Sequence, residues 1–205
     1  FKGKKFKSYK FKDKKYDKKL IDALNQSDYI LISIPPQKKK DIVIENFNKI
    51  LRKSKIKKLI YLSATSVYGN HNGKWVNESA KLKGTTKFGL GRKSVEKSWL
   101  NFQKVSKLNI NILRVSGIYS KENNVIKKIL NSNIYVKEEK YFSRIRIEDL
   151  ACIIKKLFYS PYKSMILNAS DDQPATNTEV ARYAAKLLKI NNLKPVSIHD
   201  FKNKN

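Results

Sequence analysis

The chain has 205 residues, 40% of them hydrophobic and 30% charged, with a formal net charge of +28. That length and apolar content suit one sizeable body with a buried core; no run approaches the roughly 18 apolar residues of a membrane span, and residues 1–19, mostly lysine and aromatic, have no signal-peptide centre, so a cytoplasmic protein with no membrane partner is expected. The positive charge comes from 39 Lys against 6 Arg, in the company of 22 Ile and 19 Asn, the mark of A/T-rich codons rather than of phosphate or base readout, which enriches Arg forks and interleaved aromatics.

Apolar runs alternate with longer helical patterns, the βαβ rhythm of a parallel sheet. Lys7–Phe11 reads as a short strand and Tyr16–Asn25 as a helix. Tyr29–Ile34 is a continuous apolar, β-rich run stopped by Pro35 and Pro36; it has the pattern of a strand buried on both faces, and a central place in the sheet is expected for it. Asp41–Lys53 has near-helical apolar spacing, and Lys58–Leu62 reads as the next buried strand. After a loop holding Gly69, Asn70, Asn72 and Gly73, a helix is expected from Lys87 to Lys104, then a strand over Ile110–Val115 and helices over Asn123–Leu130 and Ile147–Phe158. A short strand over Met165–Ala169 and a helix over Thr176–Lys189 follow, the latter opened by the capping-box pair Thr176 and Glu179. Cys152, the one cysteine, lies in the apolar run Leu150–Ile154, where a buried structural thiol is expected; it forms no internal disulfide and no metal site. The chain opens Phe1-Lys2-Gly3, and its single methionine is Met165, so a piece of a longer polypeptide is expected.

In an open parallel sheet, ligands sit at the carboxyl ends of the strands, so the informative residues follow each apolar run. Three places qualify: Ser33-Ile34-Pro35-Pro36, Ser63 to Gly69, and Arg114 to Tyr119. Each supplies small or hydroxyl residues where a backbone must approach a ligand. Each can also be read as a strand stop or turn chemistry, but three in register favour a shared cleft.

Tyr61-Leu62-Ser63-Ala64-Thr65-Ser66-Val67-Tyr68-Gly69 resembles the S-S-x-x-V-Y-G signature of the NAD(P)-dependent epimerase/dehydratase family, the extended short-chain dehydrogenase/reductases. Further matches follow in order. Leu113 to Tyr119 resembles that family's L-R-x-x-x-x-Y segment, Phe142 to Ala151 its R-I-H-V-D-D-L-A segment with Arg146 in place of the His, and Asn168 to Pro174 its closing strand and loop. The resemblance covers about residues 7–190. It implies an α/β fold: a Rossmann-like doubly wound parallel sheet lacking its first βαβ unit, with a small C-terminal lobe. Residues 1–120 would be a partial NAD(P)-binding domain and residues 121–205 substrate-lobe elements packed on it.

Two departures from the family pattern bear on function. The glycine-rich G-x-G-x-x-G turn, which lets a pyrophosphate reach a helix N-terminus, has no match; Gly89 and Gly91 come too late and follow no strand. The family's Y-x-x-x-K pair falls on Phe88 and Arg92, and its hydroxyl partner on Ala64, with Thr65 and Ser63 alongside. Phe has no proton to exchange, so the triad positions Thr65, Phe88 and Arg92 hold doubtful chemistry. Cofactor contacts are implied for Ser33, Ile34, Pro35, Ser63, Arg92, Arg114 and Ser116, the cofactor being NAD or NADP, weakly held by this chain alone. The expected function is an atypical NAD(P)-binding protein with a degenerate triad, acting on a small nucleotide-sugar-like substrate. The alternatives are an active epimerase or oxidoreductase with a displaced acid, Tyr68 or Tyr119, and a basic nucleic-acid-binding or non-catalytic interaction protein.

Overall fold

The computed structural model describes residues 6–132 and 134–197. Six helices cover much of this span: α1 (Lys18–Asn25), α2 (Ile42–Lys53), α3 (Lys87–Ser106), α4 (Val125–Ser132), α5 (Ile147–Tyr159) and α6 (Asn177–Leu187). Their starts are written in the sequence, because short polar side chains satisfy otherwise orphaned backbone donors. Asp17 caps α1, Asp41 accepts from the Val43 and Ile44 amides at α2, and Thr86 accepts from the Gly89 amide at α3. Both hydrogen bonds of the expected capping box join Thr176 and Glu179 at α6.

The main sheet has four parallel strands in the order Ile166–Ala169, Ile110–Val115, Lys58–Ala64, Tyr29–Ile32. Ile32, Tyr61, Ile112 and Ile166 stand in one row across it. Successive residues of a strand point to opposite faces, and both faces here are covered. Leu59, Tyr61, Ile110 and Ile112 pack with Val43, Phe47 and Leu51 of α2 and Val95, Trp99 and Phe102 of α3. On the other face Ile60, Leu113 and Val115 pack with Leu150 and Leu157 of α5. Two-sided cover explains why the inner strands read as unbroken apolar runs. Lys58 breaks the apolar pattern without cost to it: its buried ammonium donates to the Leu157 and Ser160 carbonyls, 2.8 Å each, and so caps the C-terminus of α5. Burial holds its pKa below the usual lysine value.

A smaller third core lies apart from the sheet. Ile129 of α4 meets Ala181 and Ala184 of α6, with Tyr135 and Leu193 packed against them, and the strands Ile134–Val136 and Lys194–Val196 pair in parallel beside it. The region from residue 121 onward is thus shared between two cores: α4 and α6 build this lobe, whereas α5 and the strand Ile166–Ala169 belong to the three-layered body. Residues 198–205 of the expected lobe lie outside the described residues.

Three expectations are corrected. Tyr29–Ile32 is an edge strand among the described residues, not a central one: only Ile32 is buried and Leu31 is 42% exposed, because no described strand pairs on its far side. The first strand is Phe11–Lys12, in a hairpin with Lys15–Tyr16, rather than Lys7–Phe11. Cys152 is exposed rather than buried. It sits two residues from Leu150, about 200° around α5, so the face that buries Leu150 and Leu157 turns the thiol outward.

Candidate functional site

The central strand Lys58–Ala64 ends in a 3₁₀ turn, Thr65–Val67, against which α3 packs. The fit is backbone to backbone. A Cβ on Gly89 would stand 2.5 Å from the Ser66 carbonyl oxygen, so this glycine serves helix packing and not a phosphate cradle. Gly69, at φ 69° just beyond the turn, faces the Lys83 carbonyl and likewise leaves no room for a side chain.

On one side of α3 the polar groups close upon one another. Glu96 and Arg114 form an ion pair at 2.8 Å with both side chains 3% exposed. Ser63 donates to Glu96 at 2.5 Å, and Arg114 Nη1 donates to the Tyr68 hydroxyl at 2.9 Å and the Glu78 carbonyl at 3.0 Å. Tyr68 in turn donates to Asn168 Oδ1 at 2.7 Å, and Glu78 Oε1 accepts the Asn168 amide. Burial alone would pull the Arg114 pKa down; the hydrogen bonds and charge of Glu96 reverse this and hold it up. The network therefore carries a fixed, satisfied charge pair. Ser63 and Arg114, two of the expected cofactor contacts, have their donors committed inside it. Tyr68 is buried with its proton already donated.

On the other side of α3 the groups stay open. Ser33 and Pro35 are exposed and Ile34 is half-buried after the edge strand, and Pro36 packs toward Gly91 of α3. Phe88 is 80% exposed in the first turn of α3. Arg92, one turn further, donates through Nη1 to the Leu62 carbonyl and, at 3.2 Å, to the Tyr61 hydroxyl, and its guanidinium lies over the Tyr61 ring. Its Nε and Nη2 have no partner among the described residues. The Tyr61 phenol is pushed up to about 12, chiefly by burial, so it stays protonated near neutral pH. Asp41 lies close by, its carboxylate accepting from Trp99 Nε1 at 3.0 Å; burial raises its pKa above the ordinary carboxylate value despite these hydrogen bonds.

Between body and lobe lies a cleft of about 1470 Å³. Thr65, Ser66 and Gly69 line it from the central strand, Thr85 and Thr86 from the start of α3, Gly117 to Tyr119 from the next strand, and Tyr135, Tyr141, Phe142 and Asn177 from the lobe side. Among the described residues, the hydroxyl of Thr65, which stands in it half-exposed, has no partner, and Tyr119 is 37% exposed there. Ser116, expected at the cofactor, lies next to Gly117 with its hydroxyl buried and without a partner among the described residues. The expected residues are therefore not gathered in one pocket. Thr65 belongs to the cleft, Ser33 and Pro35 to an open ledge after the edge strand, Phe88 to the exposed first turn of α3, Arg92 to the end of the central strand, and Ser63 and Arg114 to the sealed network. Glu78 and Glu96, which organise that network, were missed as partners, because the groups they meet lie 18 to 90 residues away in the chain.

As to a dinucleotide, no glycine-rich turn among the described residues joins a strand directly to a helix, so the pyrophosphate end does not fit. Arg92, whose Nε and Nη2 have no partner among the described residues, still has donors to offer a ribose or phosphate, whereas the Ser116 hydroxyl is buried. Among the described residues no cluster of His, Cys, Asp and Glu could hold a metal ion, and no helix is long and apolar enough to cross a membrane.

No protein-family model matches the chain, and no curated protein matches it. Solved structures do. A functionally unknown conserved protein from Silicibacter pomeroyi DSS superposes with a TM-score of 0.77 at 29% identity, over 86% of this chain and 63% of that one. A UDP-N-acetylglucosamine 4-epimerase from Methanobrevibacter ruminantium M1, in complex with UDP-N-acetylmuramic acid, gives 0.74 at 18% identity over 88% and 67%. A UDP-glucuronic acid 4-epimerase from Bacillus cereus in complex with NAD gives 0.75 at 17% identity over 87% and 65%. The chain thus has the Rossmann-like fold of the extended short-chain dehydrogenase/reductases, the NAD-dependent epimerase/dehydratase fold, and spans 63% to 67% of the length of these three.

Proposed function

We propose that this chain is part of an atypical epimerase/dehydratase-family protein that binds NAD or NADP and a nucleotide-sugar-like small molecule, with the family's proton-transfer residues lost. Residues 1–120 contribute to cofactor binding and residues 121–205 to the substrate side, with no specific nucleic acid as partner. The observation that carries this is the pairing of Phe88 with Arg92 one helical turn apart on α3: an exposed, protonless ring stands where a phenol is needed, and a cation stands where the lysine is needed. A nicotinamide bound beside Arg92 would accept or return a hydride. The chain itself offers the free Nε and Nη2 of Arg92 to a ribose or phosphate, while Nη1 fixes the guanidinium to the strand end.

A second reading, active chemistry with a displaced acid, rests on Tyr119 alone. Its ring lines the cleft and is exposed, whereas the Tyr68 proton is consumed by Asn168. The test follows nicotinamide absorbance with a panel of UDP- and dTDP-hexoses, and cofactor affinity by calorimetry. Little turnover is expected from the wild-type protein. Phe88→Tyr with Arg92→Lys should leave cofactor affinity roughly unchanged, and Arg92→Ala should weaken it. Robust wild-type turnover that Tyr119→Phe abolishes would favour the second reading; turnover that survives it would sink both.

A further inference from the structure

The cleft between body and lobe differs in chemistry from the rest of the molecule. Of the 36 residues that line it, only Lys74, Lys140, Arg144 and Asp171 are charged, against 30% of the whole chain. In a protein whose surface has filled with lysine, this one concavity has not. Its wall is instead amide, hydroxyl and aromatic. Asp171 is half-buried in this wall, its Oδ1 buried and without a hydrogen-bond partner among the described residues.

Trp75 belongs to the same wall and is 78% exposed. Leaving an indole in water forgoes about 2 kcal/mol of burial, and here no looseness of the loop accounts for it. Residues 69–83 are tied down along their length. The Lys83 amide donates to the Tyr68 carbonyl, the Lys74 amide to the His71 carbonyl and the Asn72 amide to Asn70 Oδ1, while the His71 ring bonds the Lys81 carbonyl. Glu78 fastens the loop to the sealed network through both its carboxylate and its carbonyl. The backbone is braced on each side of an indole that makes no ring contact of its own among the described residues.

We infer that Trp75 is the stacking platform of the cleft, taking the flat C–H face of a pyranose ring, with neutral amides and the Asp171 carboxylate available to the ring's hydroxyls. A pyranose presents an apolar face bounded by hydroxyl donors, which matches an aromatic face set among acceptors. The inference rests on the proposed function's reading of this cleft as the substrate side, and it adds which part of the substrate meets which residue.

The protein's two tryptophans make the test direct, because Trp99 is fully buried and bonded to Asp41 while Trp75 is open to collisional quenchers. Acrylamide quenching is measured with UDP-glucose, dTDP-glucose and UMP, alongside calorimetric titrations of the wild type, Trp75→Ala and Trp75→Phe. A hexose nucleotide is expected to shield most of the quenchable emission and UMP little of it. Trp75→Ala should weaken hexose-nucleotide binding about tenfold, with Trp75→Phe recovering most of the loss. Binding that leaves Trp75 as quenchable as before, with Trp75→Ala equal to wild type, overturns the role of Trp75 and leaves the substrate reading standing. Shielding by UMP equal to that by the hexose nucleotides overturns the assignment to the sugar. Failure of both hexose nucleotides to bind the wild type overturns the substrate reading and this inference together.

Discussion

The two sides of α3 are built from similar residues and do opposite things with them. Toward Ile110–Val115, a serine, a glutamate, an arginine, a tyrosine and an asparagine satisfy one another, and only Tyr68 and Asn168 reach the cleft wall. Elsewhere along the helix, Ser33, Pro35, Phe88 and part of the Arg92 guanidinium remain exposed or without a partner among the described residues. A serine near a strand end and an arginine occur in both places. What separates a binding group from a structural one is whether its donors and acceptors are already spent.

The largest effect should come from opening the sealed side. Glu96→Ala would leave Arg114 buried against the Tyr68 hydroxyl and the Glu78 carbonyl alone, and the loss of one partner of a buried ion pair costs about 3–5 kcal/mol. Urea unfolding reads this directly, and Glu96→Leu with Arg114→Met should recover much of it, since the pair's desolvation cost disappears too. A loss under about 1 kcal/mol for Glu96→Ala would mean that the network is wet and the contrast between the two sides false.

A medium effect concerns pH. Burial raises the Asp41 pKa above its ordinary 3.8, so the folded state holds this proton more tightly than the unfolded chain. The group's contribution to stability is therefore fully present below 3.8 and is lost as pH rises through the raised folded value. Asp41→Asn keeps a cap for α2 and cannot ionise. The stability gap between the Asp41→Asn protein and wild type should move in favour of the variant across that window and then level off. A gap that stays flat from below 3.8 to neutrality would show that Asp41 is as well solvated as a surface carboxylate.

The smallest effect is expected on the open side. Phe88→Ser removes a ring that is 80% exposed, so its stability change should fall within about ±0.5 kcal/mol. A loss of several times that in thermal unfolding would reveal packing for Phe88 that the exposed first turn of α3 does not have.

How much was legible in the sequence follows from the range of each interaction. The helix start at Thr176 was readable because a cap joins residues two or three apart, and the caps at Asp41 and Thr86 are equally local. The three strand runs were readable as parallel neighbours, since each is apolar and each is followed by a helical segment. The sealed network was not, because Ser63 meets Glu96 across 33 residues and Tyr68 meets Asn168 across 100. Trp75 gave no periodic signal at all. It became notable only as an exposed indole on a braced loop at the wall of a cleft.

By itself the sequence determined the order and kind of most elements, the βαβ rhythm and the lack of a glycine-rich strand-to-helix turn within these 205 residues, since each depends on residue type or on neighbours within a turn or two of chain. Tertiary structure alone decided that Cys152 faces water and, among the described residues, that Tyr29–Ile32 lies at an edge and that Ser63 and Arg114 are consumed while Thr65 and part of Arg92 stay free. Those outcomes depend on which distant groups arrive beside a side chain, and a donor already bonded in a dry interior has nothing left to offer a ligand.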